Sequence, residues 1–540
     1  MKSIIIKLIK KRWLLFLSIL LVLPAIWSLF RNDFFRMHDW LHVARLIELD
    51  VALKAGQFPA RWAPDFGWGY GMPLFHFYSP LPYYLAELIH LIKVPAVWAI
   101  KAIFALNFFA GFYFMYLWAK DQWGKHGAIL AATAFTYLPY RAVQFYVRGS
   151  LAELTATTFI PLFFYAAKRK NILLTALAIT AIFLSHNVIG LFALFFLPLY
   201  FLFNLKFWKQ FALSGLLAFG LSAFFILPAF FEKNFTAFSN LTGGFFNYKF
   251  HFIYLRQLLS RAWSYGGSVL GPKDDISFQL GWPHLILALP AGLVWFKALK
   301  LKKKKINLDL TYVFLSLLIA IFMMTFHSQF IWDKLPLLQL AQFPWRLLAF
   351  AATFVAFLSG SIYAIVKKPP KILLPIIILL IISLNLNYFK PEKFSNPEDF
   401  YFTNRQKISA DTSGVLYDYL PKTAIKPEDE TPSTSLFETK ATITNLQSKT
   451  GYISFISQTD EPTNFIFNQY FFPGWQAQIN NQSVNIQPDI ELGRIQLILP
   501  AGQHQVKIKL AKTQLQQLSD IISLLTWLGL AGYLFNKRYV

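Results

Sequence analysis

The sequence predicts a polytopic α-helical membrane protein that carries a small extracytoplasmic β domain. Three observations predict it. Hydrophobic residues make up 56% of the 540 residues and charged residues only 14%, where soluble domains average about 25% charged. The apolar residues gather into runs of membrane-spanning length. One polar stretch of alternating pattern, 389–512, interrupts those runs near the C-terminal end. A single soluble domain and a disordered chain are excluded. Without cysteine there is neither a disulfide scaffold nor a thiolate metal site. The net charge of +24 is first a topology signal. Nucleic-acid binding would gather the basic residues on a polar domain. Here they are spread, so no nucleic-acid partner is expected.

The first apolar run, Trp13 to Phe30, follows Lys10-Lys11-Arg12. It is long and no small-x-small cleavage site follows, so it reads as an uncleaved span. Further runs fall at 95–118, 127–146, 150–167, 171–186, 188–204, 210–230, 281–297, 308–326, 341–366, 372–388 and 518–535. The total is about twelve spans, each near the roughly 17–25 residues that cross a bilayer. Basic residues test this map. With a cytoplasmic N-terminus, Lys120/Lys125, Lys168-Arg169-Lys170, Lys206/Lys209, Lys297 to Lys305, Lys367/Lys368/Lys371 and Lys537-Arg538 all fall inside, as the positive-inside rule requires. The stretch 171–204 fits one long helix or two short ones, and the agreement at both ends supports two.

Three domains follow: a multi-span membrane domain over 1–388, a β-rich domain over 389–512, and a final transmembrane helix with cytoplasmic tail over 513–540. Both termini are then cytoplasmic. The membrane domain has outer loops 31–94 and 231–280. The β domain shows short alternating runs at Phe465-Ile466-Phe467, Gln476 to Ile479, Ile495 to Leu499 and Val506 to Leu510. Pro473-Gly474, Asn480-Asn481 and Ala501-Gly502 separate them. Turn residues between alternating runs mark antiparallel strands.

Loop 31–94 is the most informative stretch. On a helix, Asp39, His42 and Arg45 share one face, beside an apolar flank of Leu41, Ala44 and Leu46 that would lie along the membrane surface. Asp39 is then a carboxylate near the outer interface, with His42 or Arg45 to orient it or a phosphate. The same spacing also fits a solvated interfacial helix with an ordinary ion pair. Further on, Asp65 to Pro73 and Phe75 to Pro80 interleave aromatics with Gly and Pro. That pattern reads as a rigid loop with exposed ring faces, suited to sugar or lipid, or as an interfacial aromatic belt.

Polar residues at membrane depth are costly and therefore informative. Arg148 and Glu153 sit at one short outer turn, His186-Asn187 at the next, and Arg346 opens a later span. All fall on one side of the map and can line one cavity with loop 31–94. An arginine there suits a lipid phosphate, or the groups pair with one another for stability. In loop 231–280, Ser264 to Ser268 lacks the Lys-Ser/Thr pair of a phosphate-binding loop. Asp274-Asp275 reads as a polar turn before it reads as a cation site.

Several of these motifs together resemble a known family. They are His38-Asp39 with His42 and Arg45, Gln57 to Trp62, Gly67 to Pro73, and Phe77 to Tyr84. Arg148-Gly149-Ser150-Leu151-Ala152-Glu153, Ser185-His186-Asn187 and Gln342-Phe343-Pro344-Trp345-Arg346 extend the pattern. The resemblance is to bacterial proteins with a 6-pyruvoyl-tetrahydropterin synthase-related membrane domain. Tyr470 to Trp475 with Leu499 to His504 is similar to the C-terminal region of YfhO-like membrane proteins. Both groups look like relatives of the GT-C glycosyltransferases. The chain shows neither the soluble pterin-synthase fold nor its zinc-binding histidines.

The resemblance implies a GT-C-like fold and an enzyme of hexosyl transfer. Its donor would be a polyprenyl-phosphate-linked sugar in the membrane lipid. Its acceptor would be an envelope glycan or protein at the outer face. It places Asp39 in the catalytic role, with His38, His42, Arg45, Arg148, Glu153, His186 and Arg346 as substrate-binding residues. The core motif holds one acidic residue and no Asp-x-Asp, so the cofactor, a possible divalent cation, stays open. Two other classes fit the composition: a lipid or glycan transporter or flippase, marked by a pseudo-two-fold repeat, and a non-catalytic envelope assembly protein that tolerates substitution at Asp39, His42 and Arg346.

Overall fold

The computed structural model describes residues 13–238, 242–300, 304–366, 368–395, 407–410, 417–428 and 435–539. The basic cluster Lys10-Lys11-Arg12, the stretch Leu301 to Lys303 and Lys367 lie outside them. The chain forms two compact units. The first comprises 1–40, 98–219 and 242–397, and the second 41–97, 220–241 and 398–540.

Four helical segments are long and apolar enough to cross a membrane: Ala96–Thr136, Leu205–Phe231, Pro344–Ile365 and Gln514–Asn536. Five apolar helices are shorter: Trp13–Ala25, Ile172–Ser185, Asn187–Leu202, Leu308–Met324 and Leu373–Tyr388. Among the described residues, these four long and five shorter apolar helices stand against the expected twelve spans. Two expected runs, 95–118 and 127–146, merge into the 41-residue stretch Ala96–Thr136, broken at Gly124 by a non-helical φ of 70°. The stretch 171–204 resolves into two helices. His186 lies between them in extended backbone and caps the second, accepting from the Ile189 amide.

In the first unit, every residue of helix Leu348–Leu358 is buried, the signature of a helix that is apolar all round. Phe350 stacks on Phe196 at 4.6 Å and Phe357 on Trp118 at 3.9 Å. A two-stranded sheet pairs β1 (Phe34–Phe35) with β2 (Phe394–Ser395). Beside β1, Lys101 Nζ donates to the carbonyls of Arg31 and Asp33 at 2.7 and 2.9 Å. Together these contacts fix the segment that leads to Asp39.

The second unit contains the β domain. β3 (Phe437–Thr439), β4 (Thr442–Lys449), β5 (Tyr452–Thr459), β6 (Thr463–Tyr470), β7 (Trp475–Ile479), β8 (Gln482–Val484), β9 (Gln487–Pro488), β10 (Arg494–Leu499) and β11 (Gly502–Leu510) form two antiparallel sheets. Their orders are β3-β6-β10-β9 and β4-β5-β11-β7-β8. The expected strands fall on β6, β7, β10 and β11. Asn480 and Asn481 both take positive φ in the two-residue turn from β7 to β8, as a tight hairpin requires. The sheets close face to face through aromatic rings: Phe455 of β5 stacks on Phe465 of β6 at 4.7 Å. Helix Gln514–Tyr539 follows, and its exposed Leu518, Leu524, Leu525 and Leu528 suit lipid contact.

Two expectations are corrected here. The helix of loop 31–94 begins at His42 and runs to Lys54, so Asp39 precedes it and the shared face of Asp39, His42 and Arg45 does not exist. Nor does that helix present its polar side chains to a surface: His42, Arg45 and Glu48 are buried. The aromatic loop is also buried rather than ring-exposed. Trp62, Phe66, Trp68, Phe75 and Phe77 are all core residues. Gly67, Trp68, Gly69 and Gly71 take positive φ, which folds the loop back on itself. A Cβ at Gly71 would sit 2.3 Å from Trp62 Nε1. The Tyr70 carbonyl accepts from the Tyr470 amide at 2.7 Å, and Trp62 Nε1 donates to Gln469 at 3.0 Å. The loop is therefore part of the β domain's core. Phe58, 72% exposed, is the exception.

Glu87 of helix Leu81–His90 is buried beside Asp50. Burial first, and Asp50 second, push its carboxyl up from 4.5 to about 7. A raised carboxyl holds its proton more tightly in the folded state, so this group's contribution to stability falls as pH rises between those two values and stays low above them. Thermal unfolding of detergent-solubilised protein should show Glu87→Gln gaining on wild type at alkaline pH, with the gain vanishing in acid.

Candidate functional site

The site in the first unit is built on Glu153, fully buried in the first turn of helix Leu151–Lys168. Its Oε2 accepts from Arg148 Nη1 at 2.7 Å, and Arg346 Nε lies 3.6 Å from the same oxygen. Its Oε1 accepts from Tyr140 Oη at 2.5 Å and Gln144 Nε2 at 3.2 Å. A buried carboxylate survives only when paired and hydrogen-bonded, and here four side chains do so.

Local backbone delivers these partners. Val143–Val147 forms a π-helical turn, with the Arg148 amide donating to the Val143 carbonyl at 2.8 Å. Such turns recur at functional sites. Gly149 follows at φ 58°, where a Cβ would lie 2.1 Å from Met37 Sδ. Only glycine lets the 37–39 segment come this close. That segment is then held by two backbone bonds: the His38 amide donates to Val147 O at 3.0 Å and the Asp39 amide to Arg148 O at 2.9 Å. Burial opposes the Arg148 charge, but Glu153 chiefly, and Asp39 further down, hold its pKa above the ordinary value. Arg148 also lies over the Trp345 ring at 4.7 Å. Arg346 donates to Ala341 O and Gln342 Oε1, each at 3.1 Å. His186 lies in the field of Glu153, Arg346, Arg148 and Asp39.

Asp39, Arg148, Glu153, His186 and Arg346 therefore meet in one cluster, although they are up to three hundred residues apart. His38 is exposed, with Nε2 2.8 Å from the Tyr265 carbonyl. His42 and Arg45 belong to a second cluster, in the second unit. There His42 Nδ1 is 2.8 Å from Tyr83 Oη, Arg45 Nη1 donates to the same oxygen at 3.1 Å, and the Arg45 guanidinium covers the Tyr78 ring at 4.3 Å. Sequence reasoning missed Tyr140 and Gln144. Their four-residue spacing just before Arg148 was the available signal. Asp274 accepts from Gln257 and the Val269 amide at 2.7 and 2.9 Å. Among the described residues, no group of three His, Asp or Glu gathers as a metal site.

Comparison with known proteins adds a weak likeness. No family model matches the chain, and no curated protein matches it. Among solved structures, the arabinofuranosyltransferase AftD from Mycobacteria aligns over 71% of this chain and 27% of its own, at 16% identity and TM-score 0.46. The Archaeoglobus fulgidus oligosaccharyltransferase in the apo form aligns over 72% of this chain and 57% of its own, at 15% identity and TM-score 0.43. The same enzyme tethered to an acceptor peptide gives 14% identity and TM-score 0.44. The alignments thus span less than two thirds of each of these proteins. At these scores the likeness carries neither family nor activity to this chain.

Removing one partner of a buried ion pair leaves the others uncompensated, a loss of about 3–5 kcal/mol. Glu153→Gln should show a loss of that order in chemical unfolding of the solubilised protein, whereas exposed Arg31→Gln should stay close to wild type.

Proposed function

We propose that the chain is a GT-C-type membrane glycosyltransferase, moving a hexosyl group from a polyprenyl-phosphate donor to an envelope acceptor at the outer face of a bacterial plasma membrane. The observation that carries this reading is the tethering of Asp39 to Arg148 by the backbone, with Arg148 and Arg346 both on Glu153. A second carboxylate, that of Asp39, acts on the Arg148 guanidinium. Glycosyl transfer needs both parts. In the proposed step the acceptor hydroxyl oxygen bonds to the anomeric carbon as the bond from that carbon to the phosphate oxygen breaks. Asp39 takes the hydroxyl proton as general base. Arg148 and Arg346 steady the phosphate that leaves with the bonding pair. His186 borders the cluster and His38 its exposed edge, where the acceptor would enter.

The two arginines and two carboxylates sum to zero charge with His186 neutral. The pairing with Glu153 holds the guanidiniums in place, and the phosphate charge is met by their donors. The motif resemblance supports the same class of reaction. The β domain is proposed to lie on the outer side with the acceptor.

Glycan profiling tests the reading in the host. Lipid-linked and envelope glycans are compared in a deletion strain carrying no gene, wild type, or Asp39→Asn. A glycan lost on deletion, restored by wild type and absent with equally expressed Asp39→Asn is the expected result. Restoration by Asp39→Asn would remove the base from the mechanism. An unchanged profile on deletion would favour a transport or assembly role.

A further inference from the structure

The second unit contains a cleft of about 200 Å³ that the reaction above does not use. It is lined by Phe58, Arg61, Trp62, His76, Phe472 and Lys512, among others. It lies beside the start of helix Gln514–Tyr539, where Gln516 joins its wall, and Glu232, just past the end of helix Trp208–Phe231, stands behind that wall. Glu232 Oε1 accepts from Thr513 and Oε2 from Gln516, at 2.6 and 3.0 Å. Asp520 accepts from Arg61 Nη2 and from Lys512 Nζ, each at 2.7 Å.

Two buried polar atoms in this wall have no hydrogen-bond partner: Arg61 Nε and His76 Nδ1. Their chemistry differs. Arg61 Nε–H is a donor. His76 Nε2 lies 2.6 Å from Glu232 Oε2. Burial pushes the Glu232 carboxyl up, but hydrogen bonds from His76, Thr513 and Gln516 outweigh it and carry the group below its ordinary value. Burial drives the imidazole below its ordinary value, so His76 is neutral at pH 7. A neutral imidazole facing a carboxylate with Nε2 keeps its proton there and leaves Nδ1 as a bare acceptor. The wall thus offers one unmatched donor and one unmatched acceptor. Native interiors leave few such groups without a use.

Hydrogen-bond type decides which ligand fits. The His76 Nδ1 lone pair opposes a phosphate oxygen, which can only accept. A hydroxyl both donates and accepts, and satisfies both atoms. The remaining wall is aromatic, with Trp62 and Phe472 ring centroids 6.2 Å apart and Phe58 exposed at the rim. Electron-rich ring faces suit the C–H face of a saccharide. The volume equals about seven waters at ~30 Å³ each, the room one sugar ring takes.

We propose that this cleft is a binding subsite for a single neutral sugar ring, with hydroxyls bridging Arg61 Nε and His76 Nδ1 and a C–H face against the exposed Phe58 ring. The subsite belongs wholly to the second unit and stands whether or not the Asp39 cluster performs the transfer.

Saturation-transfer NMR on the full chain in detergent micelles tests it, with methyl α-mannopyranoside, methyl β-glucopyranoside and N-acetylglucosamine as probes. At least one glycoside should receive saturation at its ring C–H protons, with a millimolar Kd. Phe58→Ala removes an exposed ring and should weaken that binding several-fold. His76→Phe should abolish it, and Phe58→Ala keeps the test decisive if His76→Phe does not fold. Transfer to none of the three glycosides, binding unchanged in Phe58→Ala, or displacement of the glycoside by inorganic phosphate would each overturn the proposal. The last would make the cleft an anion site.

Discussion

A carboxylate with no exposure, in a region where apolar side chains dominate, must be neutralised where it stands. Glu153 is that carboxylate, and the first unit is organised around meeting its demand. Arg148 comes from the turn just before its own helix, and Arg346 from a segment nearly two hundred residues later. Tyr140 and Gln144 reach it from the preceding helical turn. Each brings a distant piece of chain to a fixed place. Gly149 then admits Met37 against the same turn, and the backbone of 38–39 closes onto 147–148. The position of Asp39 is in this sense a consequence of Glu153: the group that needs pairing sets the frame in which a second carboxylate is presented.

Much of this was legible in the sequence because charge in an apolar context is expensive and so conspicuous. Arg148, Glu153, His186 and Arg346 stood out by that rule alone, and the structure brings all four together with Asp39. What was not legible depended on backbone conformation. A helical spacing of Asp39, His42 and Arg45 looked persuasive, yet the helix begins at His42. The π-helical turn that aims Arg148 leaves no mark in a hydrophobic pattern. The aromatic loop was misread for a related reason. Its glycines were taken to mean an open, rigid loop, whereas their positive φ values fold Trp62 and Trp68 inward. The β strands were easier, since alternation and the Asn480-Asn481 turn both act locally.

The second unit solves a similar electrostatic problem by another route. Glu232 follows the end of one apolar helix and Asp520 lies in the second turn of another; Thr513, Gln516 and His76 face the first, and Arg61 and Lys512 the second. Arg61 Nε and His76 Nδ1 are left without hydrogen-bond partners, at the wall of a cleft. In both units, the residues that stabilise buried charge are also the ones that define chemically distinctive space.

Native mass spectrometry of the purified chain with a short-chain polyprenyl phosphate and the matching polyprenol addresses the central claim most directly. That claim is that Glu153 holds Arg148 and Arg346 in place for a lipid phosphate. The account predicts that the phosphate is retained and the alcohol is not. It also predicts that Arg346→Ala, and a folded Glu153→Gln protein, each lose the difference between them. Equal retention of phosphate and alcohol by wild type, or full discrimination by both variants, would contradict it.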